Sequence, residues 1–186
     1  MTTSTLPHPD YLVGTWTLDP THSEISFTVK HLKITKVRGT FEKFDLTIVT
    51  AENPMDSTIV ATIDVASVNT RVEARDNHLR TSDFFKVDEH PTMTFTATAI
   101  QPTGDDNFTI DGNLTLRGVT QPVTLTGEFG GVLTDGYGNT KAGATATAKI
   151  NRHDFGVSWN SALEAGGMTL GDEVTITIDL QVILQK

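Results

Sequence analysis

The feature that most constrains this chain is a period of two. Ile25, Phe27 and Val29 fall on one side of a strand and Glu24, Ser26, Thr28 and Lys30 on the other, the alternation of a half-buried strand rather than of a helix. The same pattern recurs at Ile59/Ala61/Ile63/Val65, Met93/Phe95/Ala97/Ala99, Phe108/Ile110/Gly112/Leu114/Leu116 and Val123/Leu125/Gly127/Phe129. It returns at Ala142/Ala144/Ala146/Ala148/Ile150 and Val174/Ile176/Ile178/Leu180/Val182. Between Val37/Gly39/Phe41 and Phe44/Leu46/Ile48 the apolar parity changes, which predicts a bulge or sharp bend at Glu42-Lys43. About eight strands result. Two segments read as helical: Arg71 to Thr81, with Thr70 and Glu73 spaced as a capping box, and a shorter one around Trp159 to Ala165, ended by Gly166-Gly167.

A sheet with one apolar face must bury it, and with so little helix the pattern leaves a sandwich or a closed barrel. Gly39, Gly112, Gly127 and Gly143 fall inside strand patterns, where they mark bends or a close approach by another group. The row Ala142, Ala144, Ala146, Ala148 fills little volume. Either facing Phe and Leu side chains occupy that room, or the interior holds one small ligand, as eight-stranded barrels can. Residues 1–14, with two prolines, read as a poorly ordered tail, and residues 15–186 as one barrel domain.

Charge narrows the partners. The 14 Lys and Arg are outnumbered by 23 Asp and Glu, and no cationic run exceeds two neighbours, so a nucleic-acid partner is disfavoured. No apolar run approaches the ~20 residues that span a bilayer, so stable membrane insertion is not expected. Cysteine is absent, which removes disulfides and thiolate metal sites. The N-terminus shows neither a basic n-region nor an apolar h-region, so the chain as it stands is expected in the cytoplasm.

Catalytic chemistry finds little support. The histidines are scattered without metal-ligand spacing, and no cofactor or metal is expected. G-x-S-x-G, H-E-x-x-H and a phosphate loop are missing. In Arg75-Asp76-Asn77-His78-Leu79-Arg80 an acid–base pair of Asp76 with His78, or one using His31, is conceivable. Residues two apart on a helix do not face each other, and a charge network pinning the helix across the barrel mouth explains the run as well. Arg152 with Asp154 is expected to brace the loop that follows. Phe84-Phe85 is harder to explain as packing, because neighbours point to different sides and both need cover.

The order of motifs resembles the YceI-like family. It runs from Trp16-Thr17-Leu18-Asp19-Pro20 and His22-Ser23 through Val29-Lys30-His31, Gly39-Thr40-Phe41 and Arg75 to Arg80. Asp83-Phe84-Phe85, Gly118-Val119-Thr120-Gln121-Pro122, Asp154-Phe155-Gly156 and Gly171-Asp172-Glu173-Val174 follow. The resemblance implies an all-β fold, an extended eight-stranded antiparallel lipocalin-like β-barrel with one or two short helices. It further implies that the barrel encloses a long-chain isoprenoid or similar amphiphile, such as a polyprenyl chain, a quinone or a quinone precursor, often as a homodimer. Several relatives carry a signal peptide and work in the periplasm, from which this sequence departs. The family supplies no agreed catalytic residues, and none is assigned. The expected lining is Phe27, Phe41, Phe44, Phe84, Phe85, Phe95, Ala144, Ala146, Phe155 and Trp159, with His22, Arg75, Asp76 and His78 near the polar end. The rival readings are an enzyme acting on a lipid or small molecule in the same cavity and a ligand-free structural module.

Overall fold

Alternating apolar side chains make each strand want one dry face, and the chain satisfies all of them by closing a ring. The computed structural model describes residues 8–186. Its strands are β1 (Gly14–Leu18), β2 (Glu24–His31), β3 (Thr35–Phe41), β4 (Phe44–Thr50), β5 (Thr58–Asp64), β6 (Val68–Asn69), β7 (Thr92–Pro102), β8 (Asn107–Leu116), β9 (Val119–Thr134), β10 (Thr140–Asn151) and β11 (Leu170–Leu184), with one helix, α1 (Glu73–Arg80). The sheet order is β1-β4-β5-β7-β8-β9-β10-β11-β2-β3-β6, and β1 also pairs with β11.

Six of the eleven strands are halves of broken ones. β1 and β2 lie end to end along β11. β3 and β4 lie end to end along β2 and β1, and β5 and β6 along β4 and β3. Counted this way the wall is a closed, antiparallel, eight-stranded meander, the barrel that the motif order implied. The expected bend at Glu42-Lys43 is present: β3 stops at Phe41 and β4 starts at Phe44, so both rings face inward across the break. Short 3-10 turns at Pro20–His22 and Val65–Ser67 interrupt the flanking strands.

The glycines inside strands are explained by close approach. A Cβ at Gly39 would overlap the Phe27 ring, one at Gly112 the Phe95 ring and one at Gly127 the Phe108 ring. Each phenylalanine lies flat over a glycine on a neighbouring strand, a cross-strand device that gives a bare backbone an apolar cover. At Gly143 the register with β9 shifts instead.

Two local expectations are corrected. Thr70 and Glu73 form no capping box, because Arg71 takes a left-handed φ of 66° and the helix starts two residues later. The Thr70 hydroxyl is drawn to Asp76 rather than to the helix amides. The second helix, around Trp159 to Ala165, does not form. Asn160 clamps the segment, donating to Leu170 O and accepting from Leu170 N, and an isolated bridge joins Ala162 to Met168. Of the tail expected at 1–14, residues 1–7 lie outside the described residues. Beyond them Tyr11 Oη donates to Ala51 O at 2.7 Å, and the His8 ring meets Phe129 edge-on at 4.9 Å.

Candidate functional site

The inner face is apolar along its length, yet its two sides differ in packing. Ile59, Ile63, Ile110, Leu114, Val123 and Leu125 are buried. Ile25, Phe27, Ile176, Ile178 and Leu180 also face inward, on strands in mid-sheet, but are only half-buried, so a water-sized sphere still reaches them. Ala144 and Ala146 stand opposite Leu180 and Ile178, where their small side chains leave the larger ones room.

Aromatic rings run from this wall towards the end carrying α1. Phe27 and Phe41 are 5.6 Å apart between ring centres, and Phe41 and Phe85 5.9 Å. A second group closes the mouth: the His78 ring stands edge-on to Phe84 at 5.0 Å and to Trp159 at 4.9 Å, with Phe84 and Trp159 5.3 Å apart. Such edge-to-face spacings are favourable for aromatic pairs. The adjacent phenylalanines are thereby both accounted for, Phe84 in the lid and Phe85 reaching down to Phe41.

Polar bonds hold the lid. Asp76 accepts from Thr70 N at 2.8 Å and Thr70 Oγ1 at 2.6 Å, and Arg75 donates to Thr70 Oγ1 and Thr70 O. Arg80 donates to Ala66 O at 2.9 Å and Val68 O at 3.2 Å, tying α1 to the interruption between β5 and β6. These bonds pin the helix across the mouth. His78 bonds Asp83 at 2.8 Å, not Asp76, so the two candidate acid–base residues have separate partners. Arg152 braces the following loop as expected, but through carbonyls and not Asp154: it donates to Gly171 O, Val157 O and Trp159 O, each at 2.8 Å. Burial pushes its pKa down, offset in part by the charge of Asp172.

Two cavities open in the side wall at the strand breaks. The ladder between the first two broken strands stops at Thr17–Thr47 and resumes at Ile25–Phe41. A cavity of about 550 Å³ lies in this gap, its apolar edge formed by Pro20, Phe41 and Phe44 and its polar edge by Ser23, Glu24, Thr40, Glu42 and Lys43. A second, of about 480 Å³, lies across Glu42-Lys43 under α1 and is polar, with Asp64, Arg71, Asp76 and Arg80 on its walls. That side is sutured by Ser67, whose hydroxyl accepts from Lys43 N at 3.0 Å and donates to Asp64 O at 2.6 Å.

Asp19, which the sequence did not single out, fixes the slot from outside. Its buried carboxylate accepts from Lys141 Nζ at 3.0 Å, Gln181 Nε2 at 3.1 Å, Thr21 Oγ1 at 2.8 Å and His22 Nδ1 at 3.0 Å. Burial alone would raise its pKa; the bonds from Lys141, Thr21 and His22 and the charge of Lys141 outweigh that and hold it well below the usual carboxylate range.

The expected site residues therefore fall into five groups. Phe27, Phe41, Phe44 and Phe85 gather along the slot and the inner wall. Phe84, Trp159 and His78 form the lid, with Arg75 and Asp76 at its base. Phe95 and Ala144 with Ala146 lie on other strands of the ring, and Phe155, 1% exposed, is sealed in the core. His22 stands apart from the other polar residues, 59% exposed at its side chain on the outer clasp with Asp19. Among the described residues no group of three or more His, Asp or Glu converges as a metal site would require, and no helix is long and apolar enough to cross a membrane.

Comparison with known proteins places this architecture. Residues 16–182 match the family described as the YceI-like domain. The UPF0312 protein of Staphylococcus aureus strain MSSA476 is 38% identical over 161 residues, 86% of this chain and 91% of that protein. The crystal structure of a Campylobacter jejuni YceI protein superposes with a TM-score of 0.73 at 33% identity, covering 91% of this chain and 98% of the other. A polyisoprenoid binding domain from Saccharophagus degradans, implicated in plant cell wall breakdown, superposes with a TM-score of 0.70 at 16% identity, covering 94% and 100%.

Proposed function

Starting from the fact that this chain belongs to the YceI-like family, we propose that it binds and sequesters or transports a long-chain isoprenoid-type lipid, a polyprenyl chain, quinone or quinone precursor, within the barrel. The observation that carries the reading is the half-buried inner wall of Ile25, Phe27, Ile176, Ile178 and Leu180 beside a slot edged by Phe41 and Phe44. The apolar side chains of that wall give a chain-like hydrocarbon cover, while the polar and charged groups Ser23, Glu24, Glu42 and Lys43 line the slot. Each prenyl unit takes about five carbons out of water, worth on the order of 3 kcal/mol before ordering costs, so a few units hold such a ligand. The solved polyisoprenoid binding domain of the same fold supports this choice of ligand class. Binding rather than turnover is favoured because Asp76 and His78 are bonded to separate structural partners.

Organic extraction of the purified protein followed by mass spectrometry tests the reading. An isoprenoid-type lipid in stoichiometric amount is expected, and a protein that yields none and takes up no added prenol overturns it. Ala144→Leu, which puts a larger side chain opposite Leu180, is expected to lower retention several-fold with the fold unchanged by circular dichroism. Unchanged retention removes that position from the site.

A further inference from the structure

We infer that the hairpin of β2 and β3 is a docking element for the surface of an anionic lipid bilayer. Residues 25–41 contain no Asp or Glu in a chain of net charge -9, yet they hold Lys30, Lys33, Lys36 and Arg38. These cations are separated in sequence, and the hairpin gathers them. Lys30 and Lys36 stand directly opposite each other and Arg38 opposite Thr28. Like charges so placed repel, and among the described residues none of the four has an ion-pair partner, while the nearby Asp172 and Glu173 are bonded to His153 and Lys149.

At the tip the charges frame an apolar point. Ile34 is 84% exposed and Leu32 36%, and Met168, 52% exposed, belongs to the loop that Leu32 N binds through Thr169 O. Isolated exposed apolar residues are ordinary, but Leu32 and Ile34 share one turn with Lys33 between them and the Lys30–Lys36 pair one step below it. The turn itself carries strain. Leu32 and Lys33 take φ values of 54° and 62°, the conformation that two-residue hairpin turns normally give to Asn-Gly, and bulky residues are held there at a cost that function repays elsewhere. An apolar tip that enters the headgroup layer, flanked by lysines that meet lipid phosphates, has the chemistry of an interfacial anchor.

The opposite end of the barrel fits the same orientation. Its loops carry Glu52, Asp56, Asp105, Asp106 and Asp135, whereas of the acids at the hairpin end Asp83, Glu89, Asp172 and Glu173 are each bonded to a His or Lys, so an anionic surface would favour the hairpin end. The hairpin is at the end closed by α1, which sets the lid close to the membrane. The docking needs no bound ligand and stands or falls apart from the isoprenoid reading.

Co-sedimentation of the full chain with vesicles tests it. Binding is expected to phosphatidylethanolamine vesicles containing phosphatidylglycerol, to weaken as salt is added, and to be absent from vesicles of phosphatidylcholine alone. K33E with K36E is expected to reduce partitioning roughly tenfold or more, since each cation near such a surface matters severalfold, and I34D to reduce it with circular dichroism unchanged. Equal binding to both vesicle types, no binding to either, or variants that bind like the parent would overturn the proposal. So would an I34D variant that binds vesicles normally but changes from dimer to monomer in sedimentation velocity, since the tip would then be a contact between copies of the chain.

Discussion

The two halves of the barrel wall are built from the same alternating pattern and differ in continuity. β7 to β11 run for 10 to 16 residues without interruption, whereas β1 to β6 are three strands each cut in two. Both halves lay rings over glycines, Phe95 and Phe108 over Gly112 and Gly127 in the continuous half and Phe27 over Gly39 in the broken one. In the broken half the backbone bonds lost at the cuts are replaced by side chains: Ser23, which donates to Gln181 O and accepts from Gln181 N beside the Asp19 clasp, at the first and Ser67 at the third. One half is a wall, and the other is a wall with an opening whose frame is polar.

Breaking the frame should cost most. Asp19→Ala removes the acceptor for Lys141, Gln181, Thr21 and His22 and is expected to destabilise the protein by about 3 kcal/mol in urea titration, because a buried charge loses its partner. The same residue sets the acid limit. Its folded pKa lies below the unfolded value near about 3.9, so its contribution is complete above that pH and is lost as the pH falls further. The parent should therefore lose stability below about pH 4 more steeply than the Asp19→Asn variant, as followed by thermal melts across pH.

In the continuous half the sensitive points are the covered glycines. Gly127→Val drives a side chain into the Phe108 ring and Thr145 O and is expected to cost about 2 kcal/mol by overpacking. Adding Phe108→Ala should recover part of that loss, and strict additivity of the two changes would show that ring and glycine are not coupled. Ser67→Ala is expected to cost about 1 kcal/mol and to speed amide exchange at Lys43, leaving the β7–β11 amides unchanged. The smallest effect is a gain: Leu32→Asn with Lys33→Gly relieves the left-handed turn and should add about half a kcal/mol to thermal stability.

Strand number and the bend at Glu42-Lys43 were legible because side-chain parity reports which face is dry, whereas the choice of a closed ring over a sandwich came from the order of motifs. Parity says nothing about what crosses the outside of the wall, so Asp19 passed as one more polar residue before a proline. The lid was half legible. Arg75, Asp76 and His78 belong to it, but the carboxylate bond from Asp76 to Thr70 outcompetes the expected cap, and the partner of His78 is Asp83 in the next turn. The helix expected near Trp159 failed because Asn160 and Arg152 hold that segment by bonds to distant backbone. The cationic tip was invisible for a related reason: no two of its charges are adjacent, and only the hairpin register sets Lys30 against Lys36.

The last strand carries a timing consequence. β11 pairs with β10, β1 and β2 at once, and just past its end Gln185 N donates to Thr15 O across nearly the whole sequence. During synthesis the β-meander from β3 to β10 can assemble as it leaves the ribosome, but the sheet keeps two raw edges until β11 has emerged. Ring closure is then a late, long-range and slow event, and a chain truncated before residue 170 would expose those edges to its neighbours.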